Sequence, residues 1–171
     1  MNKRKQFDLK FGDRTEKVFL KYVNENIYKD DNLKKGNEYS VYDFSNKNSF
    51  VELKARTNNY KKYETTMVGY NKLKIAERDE TDKKYIFYFL FTDGLYKWDF
   101  NMKEYQVKRG GRYDRGKPEF KLHSFIPIEY LKLVTKDINS NTKYIEETGE
   151  ENPNLIYDES ESESDNSSNL E

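Results

Sequence analysis

The chain of 171 residues is long enough for one domain with a hydrophobic core, although only 35% of its residues are hydrophobic and 36% are charged. It contains no cysteine and a single histidine, His123, which excludes disulfides and thiolate zinc sites and argues against histidine-based catalysis. No apolar run reaches the ~20 residues of a membrane span, and the N-terminus lacks the apolar core of a secretory signal. We therefore expect a soluble intracellular protein; cytoplasm, nucleus and virion are not distinguished.

The formal net charge of +0 conceals two regions of opposite sign. All 31 lysines and arginines lie at or before Lys143, so residues 1–145 combine 31 bases with 21 acids, a net charge of +10. Residues 146–171 contain ten acids and no base. A basic body suits a polyanionic partner such as DNA, although a solvated lysine-rich surface gives the same balance. This division predicts a basic arm at 1–10, one domain at 11–145 and an acidic, disordered tail at 146–171.

The first half of the chain predicts a helix, a strand hairpin and a second helix. The first helix is expected to begin at Asp13, which can cap its first turn with Glu16 as the capping-box partner. A strand at 38–44, a turn at 45–48 and a strand at 49–55 follow. After a loop at 57–64, a helix is expected from Thr65 or Thr66 to about residue 79, with three core contacts: Met67, Leu73 and Ile75.

The second half predicts mostly strands. The continuously apolar run at 84–91 is typical of a central strand buried on both faces. A tight turn at 92–94 and a returning strand at 95–100 come next, then a weaker strand pair within 104–126 and a short closing helix or turn around 126–134. The order indicates an α/β protein with helices packed on a mixed sheet.

Three side chains on the predicted hairpin form the candidate site. Glu52 and Lys54 are two residues apart on one strand, so they share a face while Leu53 points to the other, and Asp43 ends the preceding strand. The two carboxylates are hard ligands suited to Mg²⁺ or Mn²⁺, the Leu53 carbonyl is a further ligand, and the lysine can orient water or neutralise charge on a phosphate. Glu16 either completes the capping box or joins the metal site. An exposed ion pair on a strand is the structural alternative for Glu52 and Lys54.

Asp43, the VELK sequence at 51–54 and the upstream helical GDRTEKVFLKYV with Glu16 resemble the PD-(D/E)xK nuclease superfamily. This superfamily includes restriction endonucleases, archaeal-type Holliday junction resolvases and phage exonucleases. The resemblance covers about residues 11–100. It implies a restriction-endonuclease-like mixed β-sheet flanked by helices, with a helix-strand-strand-helix-strand-strand core.

The resemblance also implies roles for individual residues. Asp43 and Glu52 would hold the metal, Lys54 would assist the water, and the helix after the ExK strand would contribute a polar residue, with Tyr70 and Lys72 as candidates. The chain departs from the superfamily pattern in carrying Tyr42 where proline is usual, and its short spacing between Asp43 and Glu52 requires a tight hairpin.

A second basic constellation lies at 109–117. Glycines allow close approach to a phosphate, arginines bind phosphate in bidentate fashion, and Tyr113 can stack on a base; a flexible charged loop is the alternative. His123 is either near the scissile phosphate or structural. The predicted nucleic-acid contacts are Arg56, Tyr70, Lys72, Arg109, Arg112, Tyr113, Arg115, Lys117 and His123.

These features predict a metal-dependent endonuclease that hydrolyses DNA, with branched or nicked DNA among its candidate substrates and a viral or phage member as the expected type. The alternatives are a non-catalytic nucleic-acid-binding or virion-assembly protein on a nuclease-like fold, and a purely structural interaction protein. We expect no membrane association and no small-molecule cofactor. Cutting both strands of a duplex needs two sites, which makes a homodimer one expectation.

Overall fold

The computed structural model describes the backbone of residues 3–112 and 119–138 and the side chains of 12–110 and 121–138. Within these ranges the chain forms two helices, nine strands and one 3₁₀ turn. In chain order they are α1 (Lys3–Asn26), β1 (Lys34–Lys35), β2 (Phe44–Ser45), β3 (Ser49–Ala55), β4 (Thr65–Gly69), α2 (Tyr70–Arg78), β5 (Lys84–Phe91), β6 (Gly94–Asp99), β7 (Gln106–Arg112), β8 (Glu119–Pro127), the 3₁₀ turn (Ile128–Tyr130) and β9 (Lys132–Thr135).

A six-stranded mixed sheet forms the centre of the fold, in the order β1-β2-β3-β5-β6-β9. β3 and β5 run parallel, with Glu52 beside Phe87 and Lys54 beside Phe89, and the other pairings in this sheet are antiparallel. Every residue of β5 after Lys84 is buried, as expected for an apolar strand covered on both faces. The α/β class and the restriction-endonuclease-like core order are therefore confirmed.

The two faces of this sheet carry different helices. Val18 and Phe19 of α1 belong to the same core cluster as Val51 and Leu53. Leu73 of α2 belongs instead to the cluster on the opposite face, with the phenylalanines of β5. Because side chains alternate along a strand, Glu52 and Lys54 project on the α2 side and Leu53 on the α1 side.

A second sheet, of order β4-β8-β7, lies beside α2. Its strands are antiparallel, and Gly69 at the end of β4 pairs with His123 of β8. Val68 and Ile126 join this sheet to the core cluster on the α2 side of the main sheet. β4 therefore ends directly at the start of α2 and fixes where that helix begins.

Three predictions in the first half of the chain are wrong: the start of the first helix, the extent of the first strand and the start of the second helix. The first helix begins at Lys3 rather than Asp13, because the preceding residues include good helix formers and no proline, and Gly12 alone costs only ~1 kcal/mol. Asp13 is consequently not a cap; its carboxylate pairs with Lys17 at 3.4 Å and with Lys35 at 3.0 Å. The strand expected at 38–44 is reduced to β2, which begins at Phe44.

The loss of that strand has a local cause. Asn37 and Ser40 close a turn through three contacts of 2.9–3.0 Å, in which the amides of Asn37, Tyr39 and Ser40 are the donors. Asparagine and serine side chains compete in this way with strand pairing.

The second predicted helix is shorter than expected. β-branched Thr65, Thr66 and Val68 form β4, which pairs with β8, and α2 begins only at Tyr70. As a result Ala76 is buried with Leu73, whereas Ile75 is 40% exposed and not a core contact. Gly69 therefore precedes the helix instead of interrupting it.

The C-terminal half agrees better with the sequence. β5, the turn into β6 and the β7–β8 pair are confirmed, but the predicted closing segment is one 3₁₀ turn followed by the edge strand β9. β7 extends through Arg112, so the first part of the predicted basic loop is strand. The rest of that loop and the predicted acidic tail lie outside the described residues. No helix in the described part of the chain is long and apolar enough to cross a membrane.

Candidate active site where the β2–β3 ladder ends

Asp43 and Glu52 meet where β2 stops pairing with β3. The ladder runs through Phe44 and Val51, so the next outward-facing amide of β3, that of Leu53, has no strand partner on this side. The Asp43 carboxylate takes that place, since the Leu53 N–H donates to its Oδ2 at 2.8 Å. The N–H and C=O of one strand residue point to the same side, so the Leu53 carbonyl also faces the side on which Asp43 lies.

Glu52 is a fully buried carboxylate between two lysines. Its side chain is 0% exposed, its Oε1 lies 2.5 Å from the Nζ of Lys54, and its Oε2 lies 2.7 Å from the Nζ of Lys72. A carboxylate cannot be removed from water without such partners except at a cost of several kcal/mol. The ExK pair is therefore a buried charge network rather than the exposed ion pair considered as the alternative.

Lys72 is placed by the first turn of α2. Besides Glu52, its ammonium donates to the carbonyl of Val41, and it lies 5.7 Å from the ring centroid of Tyr42. The Tyr42 hydroxyl donates in turn to the Lys72 carbonyl at 2.6 Å. The residue that replaces proline before Asp43 thus holds the start of α2 against the site.

The pKa of Asp43 reflects how deeply its carboxylate lies in the site. Burial, as the larger cause, and the nearby Glu52 carboxylate together raise the pKa of Asp43 to about 6. The Leu53 N–H, Lys54 and Lys72 act in the opposite direction but do not offset these effects. The two lysines therefore only partly offset the cost of burying the Asp43 carboxylate.

Glu16 does not join these acids. Its carboxylate pairs with Lys35 at 2.8 Å, and it lies on α1, which covers the face of the sheet opposite to the Glu52 side chain. Among the residues whose side chains are described, no three Asp, Glu, His or Cys side chains form a group that could hold a metal ion. The expected cluster of three carboxylates is therefore not formed. Of the three acids, only Asp43 and Glu52 lie near each other.

The donor set that is formed suits a hard divalent cation. Mg²⁺ keeps several waters and is commonly bound through one or two carboxylates together with substrate phosphates. Asp43 and Glu52 provide two carboxylates, and the Leu53 carbonyl faces the same side; a cation bound there would offset the burial and the Glu52 charge that raise the pKa of Asp43. The residues present therefore fit Mg²⁺ or Mn²⁺.

Five of the nine predicted nucleic-acid contacts have described side chains, and four of these five are engaged within the protein: Arg56, Tyr70, His123 and Lys72, which binds Glu52. Arg56 donates to Thr66 Oγ1 at 3.1 Å and to the Met67 carbonyl, tying the end of β3 to β4. Tyr70 donates to Glu77 at 3.1 Å. His123 contacts the Lys121 carbonyl at 3.0 Å.

The remaining candidates belong to the basic segment. Arg109 is exposed on β7, Arg112 lies on β7 with its side chain outside the described residues, and Tyr113, Arg115 and Lys117 lie outside them entirely.

The sequence made Lys72 a candidate both for the polar residue that the helix after the ExK strand contributes and for a DNA contact, and it marked Tyr42 only as a departure from proline. A prediction that α2 begins at Tyr70 instead of Thr65 would have placed Lys72 in the first turn of the helix. That turn lies next to the end of β4, the strand that precedes α2. The signal available was the β-branched TTMV run at 65–68, which favours a strand over a helix.

These elements define a class. The PD-(D/E)xK superfamily has this arrangement, as the sequence predicted: a helix, a hairpin that brings Asp43 to an ExK strand, a crossover helix and a buried parallel strand. A family model described as "Phage putative PDDEXK endonuclease" matches residues 12–133, more than half of the chain. The chain belongs to this family of phage PD-(D/E)xK proteins. No curated protein and no solved structure matches it.

Proposed function

We propose that the protein is a divalent-metal-dependent endonuclease that hydrolyses phosphodiester bonds of DNA, with Mg²⁺ or Mn²⁺ as its cofactor. One observation carries the proposal: Glu52 is fully buried between Lys54 and Lys72, directly beside a second acid with a raised pKa. A buried charge network of this kind often contributes less to stability than apolar residues of similar size would. Such networks are typical of functional sites.

Each residue has a role that follows from its position. Asp43 and Glu52 would hold the cation, with the Leu53 carbonyl as a further ligand. When bound, the cation lowers the pKa of a water molecule and neutralises charge on the phosphate. Lys54 lies one hydrogen bond from a ligand oxygen, so its ammonium is placed to orient the attacking water or to stabilise charge that develops on the phosphate.

The substrate assignment rests on charge and family. Residues 1–145 carry a net charge of +10, which attracts a polyanion and makes binding sensitive to salt. Arg109 is the one arginine of the basic segment with a described side chain, and its exposure on β7 leaves it open to a backbone phosphate. Branched or nicked DNA is one candidate substrate within this proposal.

Cleavage of supercoiled plasmid tests the proposal. We expect nicked or linear DNA with Mg²⁺ or Mn²⁺ and none with EDTA, and a loss of about 100-fold or more in Asp43→Ala and Lys54→Ala. Lys74→Ala, at an exposed lysine on the same helix as Lys72, is the matched control. Cutting that survives EDTA, or that survives both substitutions, would refute the assignment. Nicked circles before linear product would indicate single sites, whereas direct linearisation would indicate a homodimer.

A second function is favoured by one observation. Both oxygens of Glu52 are engaged by lysines, as they would be in a nuclease-like protein that binds nucleic acid without cutting it. Salt-sensitive DNA binding without cleavage under either metal would select this alternative.

A further inference from the structure

Lys72 occupies one of the two carboxylate oxygens through which Glu52 would bind the proposed metal, and Lys54 occupies the other. We propose that Lys72 is a positioning residue that holds Glu52 in the metal-free protein and gives up Oε2 when a divalent cation binds. The inference rests on the proposed function and adds to it a step that controls metal affinity.

The two lysines on Glu52 are not equivalent. Lys54 is two residues away on the same strand and face, so its backbone keeps a fixed place beside Glu52. Lys72 comes from α2, twenty residues from Glu52 along the chain. Lys72 is joined to Glu52 through its side chain alone, and a rotation of that side chain separates the two without disturbing the strand that carries the ligand.

Lys72 also has another acceptor within reach. Its ammonium already contacts the Val41 carbonyl, and it lies 5.7 Å from the face of Tyr42, where a cation is attracted. Its side chain is 19% exposed, so it has access to water. The Tyr42 hydroxyl meanwhile holds the Lys72 backbone at 2.6 Å, which confines the change to the side chain.

Charge balance gives the direction of the effect. The formal charges of Asp43, Glu52, Lys54 and Lys72 cancel, so a divalent cation enters a site that is already neutral. Without the Lys72 charge the same site is one unit negative and attracts the cation more strongly. At the short separations involved, one unit charge is worth several kcal/mol at an effective dielectric constant of about 20, which is more than a tenfold change in affinity.

Calorimetric titration with Mn²⁺ alone, in the absence of DNA, tests the proposal. We expect Lys72→Met, which keeps the length of the side chain and removes its charge, to bind Mn²⁺ at least about tenfold more tightly than the wild type. The control Lys74→Met should bind as the wild type does. Equal or weaker binding by Lys72→Met would overturn the inference and leave the proposed function standing. If neither wild type nor variant binds Mn²⁺, the proposed function fails and the inference fails with it.

A second measurement uses the wild-type protein, in case Lys72→Met does not fold. Acetylation by an amine-reactive ester is followed by mass spectrometry, and the rate at Lys72 is compared with that at Lys74. We expect Mg²⁺ to raise the relative rate at Lys72 severalfold, because the released ammonium becomes more accessible. A rate that Mg²⁺ leaves unchanged would contradict the displacement.

Discussion

Neutralising Asp43 is expected to stabilise the metal-free protein at neutral pH. The pKa of this acid rises from 3.8 to about 6 on folding, roughly two units, which at ~1.36 kcal/mol per unit amounts to at most ~3 kcal/mol. Its carboxylate is only half-buried, and solvent screening reduces the expected effect to ~1–2 kcal/mol. Asp43→Asn removes the charge, and its side-chain oxygen can still accept the Leu53 N–H.

The sign of the pH dependence follows from the direction of the shift. An acid whose pKa is higher in the folded state binds more protons folded than unfolded between about pH 4 and 6. Its contribution to the free energy of unfolding therefore falls as the pH rises through this window and is constant above it. The advantage of Asp43→Asn should be largest at pH 7.5 and below ~1 kcal/mol at pH 4.

Urea denaturation in EDTA measures this difference, with the fluorescence of the buried Trp98 as the signal. Asp82→Asn, at an exposed aspartate, is the matched control and should leave the free energy of unfolding unchanged at both pH values. The reasoning would be refuted if Asp43→Asn were no more stable than the wild type at pH 7.5. It would also be refuted if the stability gained by the variant were as large at pH 4 as at pH 7.5. Saturating Mg²⁺ should reverse the order, since a carboxylate at position 43 binds the cation more strongly than a neutral amide does.

Three further outcomes are expected. Tyr28→Phe should lower the free energy of unfolding by ~1–3 kcal/mol, because it leaves the buried Tyr88 hydroxyl without the partner it now has at 3.0 Å; the double Phe variant should recover much of that loss in the same urea assay. Arg56→Met should lower stability by ~1–2 kcal/mol while leaving the salt dependence of DNA binding unchanged, since Arg56 bonds to β4; a smaller salt slope would show instead that it contacts phosphate. Glu16→Gln should change the Kd for Mn²⁺ less than about twofold, because Glu16 pairs with Lys35 on the other face of the sheet. An affinity for Mn²⁺ that is about tenfold weaker in the variant would show that Glu16 is a ligand.

The parts of the fold that the sequence predicted are those determined by local pattern. The apolar run of β5 and the tight turn before β6 need no distant information. β4 was missed although its β-branched residues favour a strand, because the strand it pairs with, β8, lies about sixty residues later in the chain. The early start of α1 was missed because a capping signal at Asp13 was given more weight than the uninterrupted helix-forming sequence before it.

The residues of the candidate site also divide into those brought together by local sequence and those brought together by distant pairing. Asp43, Glu52 and Lys54 come together through a short hairpin, which the spacing specifies. The contact between Lys72 and Glu52 depends on where α2 crosses the sheet, and that is set by the pairing of β4 with β8. Whether Glu16 faced the site could not be decided from its helical position either, since this depended on which face α1 covers.

The parallel pairing of β3 with β5 has a consequence for the order in which the molecule assembles. β5 and β6 form a hairpin around one tight turn, which closes in microseconds. Asp43 meets the Leu53 amide within another local unit, the β2–β3 hairpin. The contact of Lys72 with Glu52 forms only after the crossover segment 56–83 has been laid over the sheet, a slower, non-local step. A Glu52 that is buried before Lys72 arrives has only one lysine to offset its charge. Pairing of β3 with β5 before α2 is in place is therefore disfavoured. We expect Asp43 and Glu52 to acquire both of their lysine neighbours only in the last stage of folding.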